Sequence, residues 1–289
     1  MILRHAQDRL YSLAYSPCPN DTYIFAALTN GLLDGAPSVQ VVLDDVEALN
    51  RAAREGRFEL TKVSYGAIPY LGHYRILRAG GALGRGCGPL VVARPGVDAK
   101  APLLTDFAED ATFAIPGRFT TAYALLRLAL GREPKTVEMR FDRIVDAVAN
   151  EEVAAGLIIH ESRFTYQQAG LEEVIDLGVW WEHETGHPIP LGAILVRRDI
   201  PDEDARAIDE AIRRSLRFAR EHESEIIGYV REHAFEMDDA VMRAHIELYV
   251  NEHSDDIGDD GIAAVEDLFA RAAAANLIPA DIRPEFVSA

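Results

Sequence analysis

Hydrophobic positions along the first two thirds of the chain switch repeatedly between a period of two and a helical period. "LYSLAYS" (10–16) is an apolar run with strand character, and "DTYIFAALTNGLL" (21–33) has the spacing of a buried helix ending near Gly31. "VQVVLDD" predicts a strand, "VEALNRAAREG" a helix closed by Gly56, and "FELTKVSY" a further strand. "GCGPLVVARPG" then leads out of this unit. After a polar stretch at 102–110 the program restarts. "ATFAIPG" predicts a strand, "TTAYALLRLALG" a helix stopped by Gly131, "VEMRF" a strand, "DRIVDAVANEE" a helix, "VAAGLIIH" a strand and "ESRFTYQQAG" a short helix. Such alternation predicts an α/β fold with mainly parallel sheets.

The two programs match in detail. Pro17, Thr22, Asp45 and Ser64 of the first correspond to Pro116, Thr121, Asp142 and His160 of the second. Asp45 and Ser64 are 19 positions apart, and Asp142 and His160 are 18 apart. Two related lobes are therefore expected. "IPLGAILVRRD" predicts a strand that carries the chain back. From Pro201 onward the pattern is helical, and a tail without strands must pack on a lobe already built. The expected division is a larger discontinuous lobe, 1–93 plus 198–289, and a smaller one, 94–197.

Composition narrows the function. The 289 residues are 48% hydrophobic and 26% charged, the profile of a globular protein. No apolar run reaches the ~18 residues a bilayer demands. The N-terminal stretch has no continuous apolar core of the signal-peptide kind, so a cytoplasmic protein is expected. A net charge of −18 excludes nucleic acid as a general partner. Lys62, Lys100 and Lys135 are the only lysines. Cys18 and Cys87 are read as free thiols, Cys18 as part of turn packing.

In open α/β sheets, ligands bind beyond the C-terminal strand edges. That rule selects 16–23, 62–65, 116–121 and 160–163, which converge if two lobes face each other. In "SPCPNDTY" the prolines aim the turn, and Asn20 or Asp21 can cap the following helix, whose N-terminus favours an anion. "PGRFTT" offers Thr120 or Thr121 as a cap and Arg118 as charge. His160 ends an apolar strand and has a side chain suited to general base work, although a lone histidine is more often structural. "HETGH" (183–187) fits a zinc-protease pattern, but that chemistry needs both histidines on one helix face. Gly186, Pro188 and Pro190 argue against a helix there, so no metal is expected. Trp180 and Trp181 suit packing at least as well as ligand stacking.

"SPCPNDTYIFAAL", "KVSYGAIPYL", "GCGPLVV", "PGRFTTAYALLRLA", "GLIIHESRFTYQQAGL" and "PIPLGAILVRR" resemble, in order, segments characteristic of the 1,4-dihydroxy-6-naphthoate synthase family of the futalosine route to menaquinone. The resemblance spans roughly residues 11 to 198, and the helical tail adds little to it. It implies a two-lobed type II periplasmic-binding-protein-like fold with a central cleft and a helical C-terminal tail. It implies a lyase, without metal or organic cofactor, that converts cyclic dehypoxanthinylfutalosine into 1,4-dihydroxy-6-naphthoate. His160 stands where the family has its base, Lys62, Val63 and Ser64 where it contacts substrate, and Thr120 and Thr121 at its threonine pair. Asn20 and Asp21 join them as expected contacts to a small anionic substrate. A non-catalytic anion-binding protein of this fold, and the chorismate-dehydrating enzyme of the same route, are the alternatives.

Overall fold

The computed structural model describes residues 9–96, 104–234 and 238–288. The leading segment read above for a signal, Lys100, and the start of the polar stretch at Pro102 lie outside the described residues. The chain opens with β1 (Leu10–Tyr15), α1 (Pro19–Thr29), β2 (Ser38–Leu43), α2 (Val46–Arg54) and β3 (Leu60–Ser64). Three short strands follow: β4 (Tyr74–Ile76), β5 (Ala82–Gly84) and β6 (Leu90–Ala93). The second program builds β7 (Thr112–Ile115), α3 (Thr121–Leu130), β8 (Lys135–Glu138), α4 (Ile144–Ala149), β9 (Ala155–Ile158) and α5 (Ser162–Thr165). Then come β10 (Glu172–Asp176), α6 (Leu177–Thr185) and β11 (Ile189–Arg197). The tail is α7 (Asp202–Glu221), α8 (Glu223–His233), α9 (Asp239–Tyr249), α10 (Glu252–Asp255) and α11 (Gly258–Ala274).

These strands form two sheets of matching design. The first runs β2-β1-β3-β11-β4, with β5 also on β11, and the second runs β8-β7-β9-β6-β10. In each, the three strands of a β-α-β-α-β unit are parallel. In each, an antiparallel strand is inserted next, β11 beside β3 and β6 beside β9. The internal match in the sequence is thus a match in topology. The expected lobe boundaries fall one strand later than the change of sheet: β6 already belongs to the second sheet, and β11 has returned to the first. Both crossing strands are buried almost throughout. Apolar strands of this kind read alike whichever sheet receives them.

The tail packs on the first lobe. Helix α1 is buried along nearly its whole length, because α7, α8 and α9 cover the sides that the sheet leaves open. That explains why its sequence is apolar on all faces. Helix α7 has one apolar stripe for the purpose, including Ala205, Ile208, Ile212, Leu216 and Ala219. Strands β4, β5 and β10 have only three to five residues and no clear alternation, so the sequence pattern does not predict them. It also places no helix across "HETGH", whereas α6 runs through Thr185 and stops at Gly186 in the left-handed conformation. His187 is therefore outside the helix, and His183 on its last turn is largely exposed. Among the described residues no cluster of three His, Cys, Asp or Glu side chains could hold a metal, and no helix is long and apolar enough to cross a membrane.

Candidate active site

Four chain segments leave the C-terminal edges of β1, β3, β7 and β9 and meet in one cleft between the lobes. Asn20, Asp21, Lys62, Val63, Ser64, Thr120, Thr121 and His160 all line it. The cleft holds about 720 Å³ of empty space, counting the part open to solvent. Its walls are largely apolar, with Leu49, Ile159, Leu191 and Tyr249 between the polar groups.

The turn "SPCPNDTY" differs from its expected capping scheme. The N-cap of α1 is Cys18, with extended backbone and no side-chain cap, and Pro19 occupies the first helical position. Proline suits that position because its missing N–H would be unpaired there anyway. Asn20, Asp21 and Thr22 consequently sit inside the first turn. Thr22 Oγ1 donates to the Cys18 and Pro19 carbonyls at 3.1 and 3.3 Å. The Asp21 carboxylate accepts from Lys62 Nζ at 2.5 Å, Ser16 Oγ at 2.8 Å and Asn20 Nδ2 at 2.8 Å. Lys62 also donates to the Gly80 carbonyl at 3.1 Å. Asp21 and Lys62 are 2% and 6% exposed, so this is a buried ion pair in which two of the three ammonium hydrogens have an acceptor among the described residues. Its charges compensate each other, which leaves Lys62 less able to act as a free cation toward a ligand. A Cβ on Gly192, on the neighbouring β11, would stand 3.3 Å from Lys62 Cε. Glycine there gives the lysine stem its room.

The second lobe repeats the turn with a true cap. Thr120 is the N-cap of α3, accepting from the Tyr123 N–H at 3.2 Å and donating to the Gly117 carbonyl at 2.8 Å. Thr121 Oγ1 donates to the Leu191 carbonyl at 2.7 Å and accepts from the Gly66 N–H at 3.1 Å. Both hydroxyls are thus committed to backbone, and the pair faces the cleft as a helix N-terminus. Arg118 turns outward to Glu138 at 2.9 Å and does not line the cleft. The lobes touch at this point: a Cβ on Gly66 would lie 2.7 Å from the Thr120 carbonyl oxygen. From α2, Glu47 accepts from the Phe119 N–H at 3.2 Å. Burial raises the Glu47 carboxyl above its ordinary range. Ser64 Oγ accepts from Asn50 Nδ2 at 3.3 Å, and Asn50 Oδ1 accepts from the Ser64 N–H at 2.9 Å.

His160 follows β9 with φ of 56°, a left-handed backbone that few non-glycine residues adopt. Such strain concentrates at functional sites. The Phe141 ring meets the imidazole edge-on at 4.9 Å, and Nε2 is buried without a protein partner among the described residues. Burial lowers its pKa to about 4, with a smaller lowering from Lys62 and an opposing effect of Asp21. The ring is therefore neutral at neutral pH, as a base must be. Nδ1 lies 3.4 Å from Cys18 Sγ, a pairing between residues 142 positions apart that no motif marks. Burial pushes that thiol well above its ordinary pKa, so it is a thiol and not a thiolate. His245 and Tyr249, which no sequence motif singles out, bring α9 of the tail into the same cleft. Met242, His245 and Tyr249 share the buried face of α9. A histidine on an apolar stripe was the available signal.

Residues 11–274 match the menaquinone biosynthesis family, so the match runs through most of the tail and beyond the span first recognised. The chain is 53% identical over 277 residues to the 1,4-dihydroxy-6-naphtoate synthase of Thermus thermophilus, covering 95% of this chain and 98% of that one. It is 46% identical over 274 residues to the Streptomyces coelicolor protein of the same name, covering 93% and 94%. Among solved structures, a protein from Archaeoglobus fulgidus superposes with a TM-score of 0.87 at 36% identity, over 95% of this chain and 100% of that one. The alkanesulfonate-binding protein of Xanthomonas axonopodis pv. citri gives 0.70 at 13% identity, over 93% and 94%. The last is a likeness of fold alone. The two-lobed architecture is that of periplasmic binding proteins.

Proposed function

The chain belongs to the menaquinone biosynthesis family, that of the 1,4-dihydroxy-6-naphthoate synthases, and from this we propose that it is a cytoplasmic lyase forming 1,4-dihydroxy-6-naphthoate from cyclic dehypoxanthinylfutalosine. The observation that carries the reading is His160: a neutral, buried imidazole whose Nε2 has no protein partner, in a cleft lined by every residue expected to contact substrate. In the tautomer suited to catalysis, Nδ1–H donates to Cys18 Sγ and Nε2 keeps its lone pair. That lone pair takes a proton from the spirocyclic substrate. A retro-aldol-type cleavage follows: the carbon–carbon bond to the sugar-derived part breaks, and the ring system gains aromaticity.

An anionic substrate needs compensation in a cleft whose one lysine is already paired. The backbone N–H groups at the start of α3, held by the Thr120 cap, supply partial positive charge. The Ser64 hydroxyl keeps its hydrogen available for donation, since its observed bond is one it accepts. Donors fixed before the reaction stabilise the developing oxyanion without reorganisation. The Gly66 N–H on Thr121 Oγ1 and the Phe119 N–H on Glu47 hold the lobes closed over this arrangement and limit water access. Asn20 and Asp21 serve by fixing Lys62 and the turn.

Incubating the purified protein with cyclic dehypoxanthinylfutalosine and following naphthoate absorbance tests the assignment. Product formation is expected. Binding without product supports a non-catalytic anion-binding protein instead, and turnover of chorismate supports the dehydratase reading.

A further inference from the structure

Helix α9 is far from the segments that carry the family resemblance, yet it places a second imidazole in the cleft. His245 is 1% exposed and lines the cavity with His160. Neither Nδ1 nor Nε2 has a hydrogen-bond partner among the described residues. Its ring lies 6.3 Å from the His160 ring at an interplanar angle of 26°, 4.6 Å from Tyr249 and 6.4 Å from Phe164.

Buried polar groups in folded proteins are almost always hydrogen-bonded. A position needed only for packing on the Met242 and Tyr249 face takes an aliphatic or aromatic side chain without that penalty. Histidine is also an indifferent helix former, so nothing local favours it at this position. Two unpartnered nitrogens at the wall of a cavity mark groups whose partner arrives with the ligand.

We propose that His245 is a substrate-contacting residue that recognises an uncharged, hydroxyl-bearing part of the ligand. A neutral imidazole presents one N–H donor and one lone-pair acceptor. A hydroxyl answers both, whereas a carboxylate uses only the donor and an ammonium only the acceptor. Resting on the reading above, this divides the substrate between two recognition elements. The carboxylate is held at the N-terminus of α3, and the sugar-derived hydroxyls are held by His245. The tail is then part of the binding site as well as the cover of α1. His160 remains the base, and no proton transfer is assigned to His245.

The test uses the full chain and cyclic dehypoxanthinylfutalosine itself, with wild type, His245→Phe and His245→Gln compared by turnover and by calorimetric binding. His245→Phe fills the volume without polar atoms and is expected to raise KM and Kd about tenfold or more, as loss of two neutral hydrogen bonds predicts. The fall in kcat is expected to be smaller. His245→Gln, which keeps a donor and an acceptor, is expected to lie between His245→Phe and wild type. In wild type, the ring ¹⁵N resonances of His245 are expected to move on substrate addition, a readout that needs no variant to fold. A His245→Phe protein with unchanged Kd, or His245 resonances that do not move when substrate binds, overturns the proposal and makes this a core histidine. If wild type binds the compound without turning it over, the catalytic reading fails while the contact is still judged by these Kd values and shifts. If wild type does not bind it at all, both fall.

Discussion

Cys18 Sγ and His160 Nδ1 stand 3.4 Å apart, joining the first lobe's opening turn to the segment that leaves β9 of the second lobe. A partner at one ring nitrogen fixes the tautomer and aims the other, so Cys18 is expected to act as a positioning residue. Cys18→Ala is expected to lower kcat several-fold with little change in KM, and Cys18→Ser to retain more activity because its hydroxyl can replace the contact. Because burial keeps the sulfur protonated, the folded protein is expected to resist iodoacetamide at neutral pH. Rapid alkylation with full retention of activity contradicts both statements.

The depressed His160 pKa has a definite sign in pH experiments. With a folded value of about 4 against an ordinary 6.5, the base stays unprotonated down to pH values where an exposed histidine is already charged. The acid limb of kcat/KM is expected near pH 4 instead of near 6.5. The same shift makes the unfolded chain the stronger proton binder between those values. Its contribution to stability is therefore present above pH 6.5 and lost as pH falls toward 4. Denaturant titrations at a series of pH values check the direction.

The Lys62–Asp21 pair is buried on both sides, so removing one partner strands the other. Lys62→Met alone is expected to cost about 3–5 kcal/mol. Adding Asp21→Asn is expected to restore much of that loss. Equal stability of the single and double variants in urea unfolding argues against a coupled pair.

Gly66 meets Thr120 across the interface between the lobes, so its requirement for glycine belongs to the closed form. Gly66→Ala places a methyl 2.7 Å from the Thr120 carbonyl oxygen and 2.9 Å from the Thr121 nitrogen. The contact is relieved if the lobes part. KM is expected to rise several-fold while Tm moves little, and small-angle scattering is expected to show a more open average. A large drop in Tm with unchanged KM shows instead that the clash is felt within one rigid body.

Much of the architecture was legible in the sequence. The alternation of periods located the parallel units, and the recurrence of Pro17, Asp45 and Ser64 as Pro116, Asp142 and His160 foretold two sheets with one topology. The places where the reading failed have physical causes. Asn20 and Asp21 are good capping residues, but Cys18 takes the cap position and Pro19 begins the helix two residues ahead of the expected start, which moves them inside it. Arg118 is placed in sequence to lend charge to the cleft, but a carboxylate on the adjacent strand takes it outward. His245 is invisible as a site residue because its helix reaches the cleft through packing of the tail on α1 and β5. Such long-range packing leaves no local pattern. The Cys18–His160 contact is of the same kind, joining residues 142 positions apart.

The central claim is that His160 is the base, and its backbone conformation dictates how to test it. With φ of 56° the position suits asparagine better than alanine or glutamine, since asparagine tolerates the left-handed region. The decisive measurement is rapid-quench turnover of cyclic dehypoxanthinylfutalosine by His160→Asn under saturating substrate, with Kd measured on the same preparation. The account predicts a folded protein that binds substrate within about tenfold of wild type and loses the 10²–10⁴-fold rate contribution typical of a general base. Turnover close to wild type, with normal binding, would contradict it and remove His160 from the chemistry.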